Sequence, residues 1–491
     1  MTVHEPVAPA DMRNPAPTAR RIPSAVVLAV LCVATFLAQL DVWITNVGLP
    51  AIGRGVAADS LSDLSWVLNA YAIVYAALLV PAGRMADRYG GKAAFLLGLT
   101  VFAAASLGAG LSNDLWVLIG FRVLQAAGAA VLTPSSLGLV LTSAPPAKVT
   151  AYVKIWVTTG ALSAACGPIA GGTLIQASWR WLFLINIPIA LGALVVAGIV
   201  VPNTRHERSG PFPDIAGGLL MMAAVAALCL GVVKAPDWGW TSGRVIISLA
   251  AAAVALAAFL LRSARHAAPV IQLNYFRDRV FTASNLVAML AFGSFGLVLL
   301  SAILWMQGHW GYSPLKTGFA TVPAPVMFAV GAGVAERLVQ KGRARVGTVS
   351  AAGLIIAAAG AILLVTLVQV EPSYAARFLP GWLLFGLGLG LAIPAAVSTA
   401  TVELPPEEAA TGSAIVQMSA QLGSVIGVSV LVAILGTASA AAPLGVYHQA
   451  WWVSFAVGLS AVLAALGINQ RSINQRSINQ RNRAAGSDSR A

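Results

Sequence analysis

Residues 71–111 read YAIVYAALLVPAGRMADRYGGKAAFLLGLTVFAAASLGAGL, two apolar runs joined by a short polar loop. Every charge in the stretch, Arg84, Asp87, Arg88 and Lys92, falls in or beside that loop. A helix crosses the hydrocarbon core of a bilayer with about 20 largely apolar residues. In lipid each backbone N–H and C=O must be paired within the segment, so apolar runs of this length read as helices. The stretch is two membrane-spanning helices turning back through a tight basic loop.

The same pattern extends in both directions. Of the 491 residues, 58% are hydrophobic and 10% charged, whereas a soluble domain carries about 25% charged residues. Apolar runs recur at 24–48, 64–83, 93–111, 115–141, 150–175, 181–201, 215–233, 245–261, 281–306, 318–334, 346–368, 378–399, 412–435 and 451–467, fourteen spans in all. With the N-terminus in the cytoplasm and sides alternating, cytoplasmic segments hold 23 Lys and Arg, the opposite segments hold six, and Arg122 falls within a span. This is the positive-inside pattern, and one misplaced span would scramble it downstream. It puts both termini in the cytoplasm. The net charge of +13 is therefore a topology signal, and no nucleic acid is expected as a partner.

The first residues, MTVHEPVAPADMRNPAPTARRIP, lack a basic start followed by a short apolar core and a cleavage site, so no cleavable signal peptide is expected. Two short basic loops, GRMADRYGGK (83–92) and AERLVQKGRAR (335–345), each follow the second helix of a six-helix unit. That duplication divides the chain into a tail (1–23), a first bundle (24–202), two inserted helices with linkers (203–280), a second bundle (281–467) and a tail (468–491). The last segment carries the tandem repeat INQRSINQRSINQRNR, read as a disordered tail. Cys32, Cys166 and Cys229 lie in apolar stretches without metal-ligand spacing, and the five histidines are scattered through loops. GLGLG (386–390) sits inside an apolar helix and is a packing motif; with no phosphate-binding loop, neither ATP nor another cofactor is expected, nor an enzymatic activity.

AGRMADRYGGKAAF resembles the signature loop of the major facilitator superfamily, a Gly-x-x-x-Asp-Arg-x-Gly pattern followed by a basic residue, here Gly83, Asp87, Arg88, Gly90 and Lys92. The resemblance implies an all-α integral membrane protein, with two six-helix bundles plus two inserted helices. It also implies a conformational latch: Asp87 near the start of helix 13, with Arg84, Arg88 and Lys92 facing the acidic loop Glu403 to Glu408. LDVWITNVGLP (40–50) and GFRVLQAAGAA (120–130) look like the helix 1 and helix 4 motifs of drug:proton antiporters, with Ala126 in place of a usual glycine. CGPIAGG (166–172) resembles their helix 5 antiporter motif through Gly167, Pro168, Gly171 and Gly172. WRWLFLINIPI (179–189), WGW (238–240) and QGHWGYSPLKTG (307–318) resemble the fourteen-span branch of these exporters.

Asp41 and Arg122 are the ionisable residues deep within spans. Each costs about 2.5–3.5 kcal/mol to insert and calls for a partner or a watery cavity. Counted from the span ends, both lie about 10 Å below the outer boundary. In the resembled fold helices 1 and 4 line one cavity, so the two can meet. Desolvation favours the neutral carboxyl and Arg122 the charged one, which makes the pair the expected proton-coupling site. Gln39, Asn46, Tyr71, Tyr75, Gln125 and Trp156 are expected contacts in the substrate cavity. The expectation is a monomeric, proton-coupled exporter of small lipophilic or cationic compounds in the cell membrane, with a dedicated exporter of one metabolite, lipid or antibiotic as the alternative.

Overall fold

The computed structural model describes residues 24–203, 212–402, 404, 409–436 and 442–468. The acidic loop expected at Glu403 to Glu408 lies almost wholly outside the described residues, as do most of both tails. The long helices are α1 (Ser24–Gly55), α2 (Leu61–Tyr89), α3 (Gly91–Leu111), α4 (Leu115–Ser143), α5 (Val149–Leu174), α6 (Trp181–Val200) and α7 (Ile215–Trp238). They continue as α8 (Gly243–Arg265), α9 (Arg279–Gly308), α10 (Pro314–Gln340), α11 (Val346–Leu367), α12 (Tyr374–Ala400), α13 (Thr411–Leu435) and α14 (Leu444–Leu466).

Among the described residues thirteen of these are long and apolar enough to cross a membrane. The remaining one, α5, covers the span read at 150–175 and is long enough, but Lys154 and its many Gly and Thr residues dilute its apolar character. Helix α1 runs past its expected end at 48, through Pro50 to Gly55. Packing holds this extension, because Leu49 and Ile52 are fully buried and a Cβ on Gly55 would collide with the Trp179 indole.

Helix α1 packs on α4, α5 and α6, while α3 packs on α4 and α6, and α2 on α4; these six form the first bundle. In the second, α9 packs on α12, α13 and α14, with α11 between α12 and α14 and α10 against α12. Small residues let these backbones approach: a Cβ on Gly353 would stand 2.5 Å from the Gly388 carbonyl oxygen. Helices α7 and α8 pair with each other, and α7 also reaches α2 and α13, so the inserted pair sits against the seam between bundles.

The seam follows α2 against α13 and α5 against α10. At the end opposite the 83–92 loop it is sealed. A Cβ on Gly172 would lie 2.6 Å from the Cα of Leu315, and one on Gly318 would overlap the Pro168 carbonyl. Gln307 Nε2 donates to the Val47 carbonyl at 3.1 Å, and Asn69 Nδ2 to Ser429 Oγ at 3.2 Å. At the loop end an exposed pair, Lys154 Nζ to Glu336 Oε1 at 3.7 Å, spans α5 and α10.

Candidate functional site

Five polar side chains converge in the middle of the first bundle. Asp41 comes from α1, Ser106 from α3, Arg122 and Gln125 from α4, and Asn186 from α6, and each is at most 1% exposed. Local structure sets their places. Asp114 caps α4 by accepting from the N–H of Trp116 and Val117, two turns before Arg122. Arg122 and Gln125 are three residues apart and so share a helix face. Arg180 ties the start of α6 to the end of α3, donating to the carbonyls of Gly110 and Ser112 at 2.9 and 2.6 Å and to Asn113 Oδ1 at 2.6 Å. Ser106 Oγ donates to the Phe183 carbonyl at 3.0 Å, which fixes the next turn of α6 and delivers Asn186 to the centre.

The hydrogen bonds are directed at Asp41. Arg122 Nη1 donates to Asp41 Oδ2 and, at 2.7 Å, to Gln125 Oε1. Gln125 Nε2 and Asn186 Nδ2 both donate to Asp41 Oδ1, at 2.8 and 2.9 Å, and both also donate to Ser106 Oγ, at 3.0 and 2.9 Å. Every contact to the carboxylate is a donor, which suits its charged form. Arg122 has support of its own, since its Nε donates to the Val67 carbonyl at 3.1 Å and its guanidinium lies 4.2 Å from the Tyr71 ring centroid. The cation is therefore held by groups that do not change when Asp41 does.

The Gly-Pro segment of α5, residues 166–172, backs this site. Gly167 and Gly171 press on α1 at Trp43 and Ile44, within a turn of Asp41, and a Cβ on Gly171 would sit 3.0 Å from the Ile44 Cα. Gly172 presses instead on α10 across the seam. Pro168 lies buried inside α5. One motif therefore touches both the acid-bearing helix and the sealed end.

The expected cavity residues divide. Gln125 belongs to the charge network, Tyr71 covers Arg122, and Tyr75 Oη donates to Thr133 Oγ1 at 3.1 Å within the bundle. Trp156 Nε1 donates to Ser136 Oγ at 3.1 Å, and Asn46 Nδ2 bonds back to the Val42 carbonyl at 2.8 Å. Gln39 is partly buried on α1. Asn186 and Ser106 escaped the sequence reading; the signal for Asn186 was an amide in the apolar run LFLINIPI. Phe295 was also missed: it meets Trp43 edge-on across the seam at 5.6 Å and stacks on Phe385 at 6.5 Å.

In the loop, Gly90 has φ 105°. Gly83 leaves room for Pro134 of α4, whose Cβ would stand 3.3 Å from a Cβ there. Arg88 lies over the Phe212 ring at 5.9 Å, Lys92 Nζ donates to the Gly198 carbonyl at 2.8 Å, and Arg84 stands within electrostatic reach of Tyr275, Asp214 and Asp87. The basic side chains thus contact the end of α6 and the lead-in to the inserted helices. Asp87 is exposed.

A sequence profile of the Major Facilitator Superfamily matches residues 31–428. The tetracenomycin C resistance and export protein of Streptomyces glaucescens is 34% identical over 422 residues, covering 85% of this chain and 77% of that one. The puromycin resistance protein pur8 of Streptomyces alboniger is 34% identical over 466 residues, covering 91% of each. Among solved structures, a bacterial homolog to the human lysosomal transporter Spinster, inward-facing and unoccupied, is similar with a TM-score of 0.63 at 16% identity, covering 91% of this chain and 97% of that chain. A peptide transporter, POT, in complex with sulfate is similar with a TM-score of 0.66 at 16% identity, covering 90% and 95%. At such identity these two likenesses concern the fold alone.

Proposed function

The chain belongs to the Major Facilitator Superfamily, and from that membership we propose that it is a proton-coupled antiporter exporting small lipophilic or cationic compounds across the cell membrane. Its partners are a small-molecule substrate, protons and the bilayer. Both termini face the cytoplasm, because the basic loops at 84–92 and 337–345 share the loop end. The sealed end is then the outer one, and the conformation is closed to the outside.

The observation that carries the reading is Asp41, a carboxylate with no exposed surface, held by Arg122 and two amides. Burying charge is costly, and a pair that served only to hold helices together could be replaced by apolar side chains. Protonation of Asp41 removes its attraction to Arg122. Arg122 keeps the Val67 carbonyl, Gln125 Oε1 and the Tyr71 ring, so neutralising Asp41 does not strand a bare cation. The partners of Arg122 therefore stay in place while Asp41 gains or loses a proton, as a coupling site requires. Loosening α1 from α4 and α6 also frees the helix on which Gly167 and Gly171 rest. That links the proton to the outer seal, since Gly172 of the same motif packs on α10.

The pair is neutral as a whole and among the described residues no second carboxylate lies beside it, so dicationic compounds are disfavoured. The seam aromatics Trp43 and Phe295 suit flat lipophilic molecules. A second reading, a dedicated exporter of one metabolite, lipid or antibiotic, is favoured by relatives whose names each specify one antibiotic. The signature loop acts in either case as a latch between the bundles, through Gly83, Asp87, Arg88, Gly90 and Lys92.

The test is substrate-driven proton movement in proteoliposomes across a panel of unrelated compounds, comparing wild type with Asp41→Asn. Wild type should move protons with several compounds, or with one class under the second reading. Asp41→Asn should lose that coupled flux by about 100-fold, the scale of removing a group essential to proton transfer. Coupled flux surviving in the variant would falsify Asp41 as the coupling group.

A further inference from the structure

We infer that Asn186 is a positioning residue for the proton on Asp41, donating to the charged carboxylate in this state and accepting the carboxyl proton after its amide turns over. The inference rests on the reading of Asp41 as the coupling group. The sequence motif and the ion pair do not supply it; the hydrogen-bond inventory does.

A neutral carboxylic acid has one O–H to donate, and a buried donor needs an acceptor. Among the described residues none stands free around Asp41. Arg122 Nη1, Gln125 Nε2 and Asn186 Nδ2 all point donors at it. Ser106 Oγ already accepts from both amides and donates to the Phe183 carbonyl. Gln125 cannot turn over cheaply, because its Oε1 accepts from Arg122. Asn186 can. Its Oδ1 is buried and lacks any hydrogen-bond partner, so a turn of the amide sacrifices nothing on that side. The turn brings Oδ1 to the Asp41 carboxyl, where it accepts the new O–H. The turned amide gives up its bonds to Asp41 and Ser106 Oγ and gains the carboxyl O–H, so the charged carboxylate favours the present orientation and the proton favours the turned one. The proton count closes: one proton joins Asp41, none leaves Asn186, and only hydrogen bonds are exchanged.

Removing the amide deprives the charged form of a donor and the neutral form of an acceptor. Hydrogen bonds to charged groups are the stronger of the two kinds. The net effect of Asn186→Leu is easier protonation, an alkaline shift of about one pH unit in the titration of Asp41. The protonated carboxyl then has no acceptor, so its C=O stretch moves to higher wavenumber. Ser106→Ala removes the hydroxyl that both amides share and should shift the titration the same way by less.

The experiment is a pH titration of the purified full chain in lipid nanodiscs by infrared difference spectroscopy, with the Asp41 band assigned by its loss in Asp41→Asn. It needs no knowledge of the substrate. Asn285→Leu is the control, a buried amide of the second bundle that bonds the Phe281 carbonyl and Ser419 away from Asp41; it should leave the Asp41 midpoint in place. An alkaline midpoint and raised band in Asn186→Leu support the inference. An Asp41 band that titrates unchanged in both Asn186→Leu and Ser106→Ala overturns it while leaving Asp41 as the coupling group. A carboxyl band that never responds to Asp41→Asn overturns the coupling reading, and this inference with it.

Discussion

The two six-helix bundles are held together by different chemistry. In α1–α6 the centre is ionic, with Asp41 and Arg122 buried among Ser106, Gln125 and Asn186. In α9–α14 the largest buried side chains are aromatic, among them Trp305, Trp382, Trp451, Tyr447 and Phe385. Two of the indole N–H groups meet neutral partners, Trp451 Nε1 donating to Ser301 Oγ at 2.9 Å and Trp382 Nε1 to the Thr321 carbonyl at 3.0 Å, while the buried Trp305 Nε1 has no hydrogen-bond partner. Among the described residues the buried charged side chains are Asp41, Arg122 and Asp214, and none belongs to the second bundle. A dry core is the cheaper way to hold helices, because a buried ion pair sets its mutual attraction against desolvation. The second bundle is held by close apolar packing. The first keeps a costly centre, and it is there that we propose the proton is bound.

The strongest way to break this comparison is to make the first bundle resemble the second. Arg122→Ala leaves the Asp41 carboxylate buried without its cation, and the expected loss of stability is about 3–5 kcal/mol. Asp41→Leu combined with Arg122→Met removes both charges and should regain most of that loss, with proton-coupled transport still absent. Thermal unfolding in detergent, read beside a transport assay, measures both halves of the expectation. A double variant as unstable as Arg122→Ala alone would show the pair to be structural glue, and the contrast between bundles would lose its functional meaning.

The converse change tests the second bundle. The three atoms nearest a Cβ on Gly388 of α12 would all be backbone, with the Ala357 Cα 2.8 Å away and the Gly353 carbonyl oxygen closer still. Backbone cannot rotate aside as a side chain can, so Gly388→Ala should cost about 1–3 kcal/mol by overpacking. The melting temperature should fall while the infrared titration midpoint of Asp41 stays fixed. A shifted midpoint would mean that strain in the second bundle reaches the first, and the division of labour would be less clean than the packing implies.

The fold was legible because its signals are repeated. Each span announces itself by an apolar run and each basic loop by Lys and Arg, so errors at single ends do not propagate. Helix α1 was read seven residues short because its extension to Gly55 is secured by neighbours, Leu182 against Gly48 and Trp179 against Gly55, and not by its own composition. Asp41 and Arg122 were legible for the opposite reason: a charge in an apolar run is conspicuous. Asn186 and Ser106 were not, since amides and hydroxyls are ordinary in membrane helices. Only the convergence of α3, α4 and α6 on α1 gives them a role. Tyr71 and Tyr75 were read as facing a cavity, whereas the structure buries both at 2% exposure inside the first bundle. Residue type carries no information about which face of a helix meets a neighbour when every face is apolar.

The smallest expected effect concerns the one described ion pair that bridges the two bundles at the loop end. Lys154 and Glu336 stand 3.7 Å apart with their side chains 68% and 53% exposed. Two long side chains in water gain little Coulomb energy and lose rotamer freedom, so such a pair contributes about 0.2–1 kcal/mol. Lys154→Ala should therefore change exchange rates by no more than about fivefold, the population ratio that ~1 kcal/mol allows. The difference from wild type should also shrink at about 1 M salt, where the screening length falls to about 3 Å. Transport measured at low and high ionic strength checks both parts. A salt-independent loss comparable to that of Asp41→Asn would make Lys154 part of the machinery itself, and the chemistry would no longer be confined to the buried centre of the first bundle.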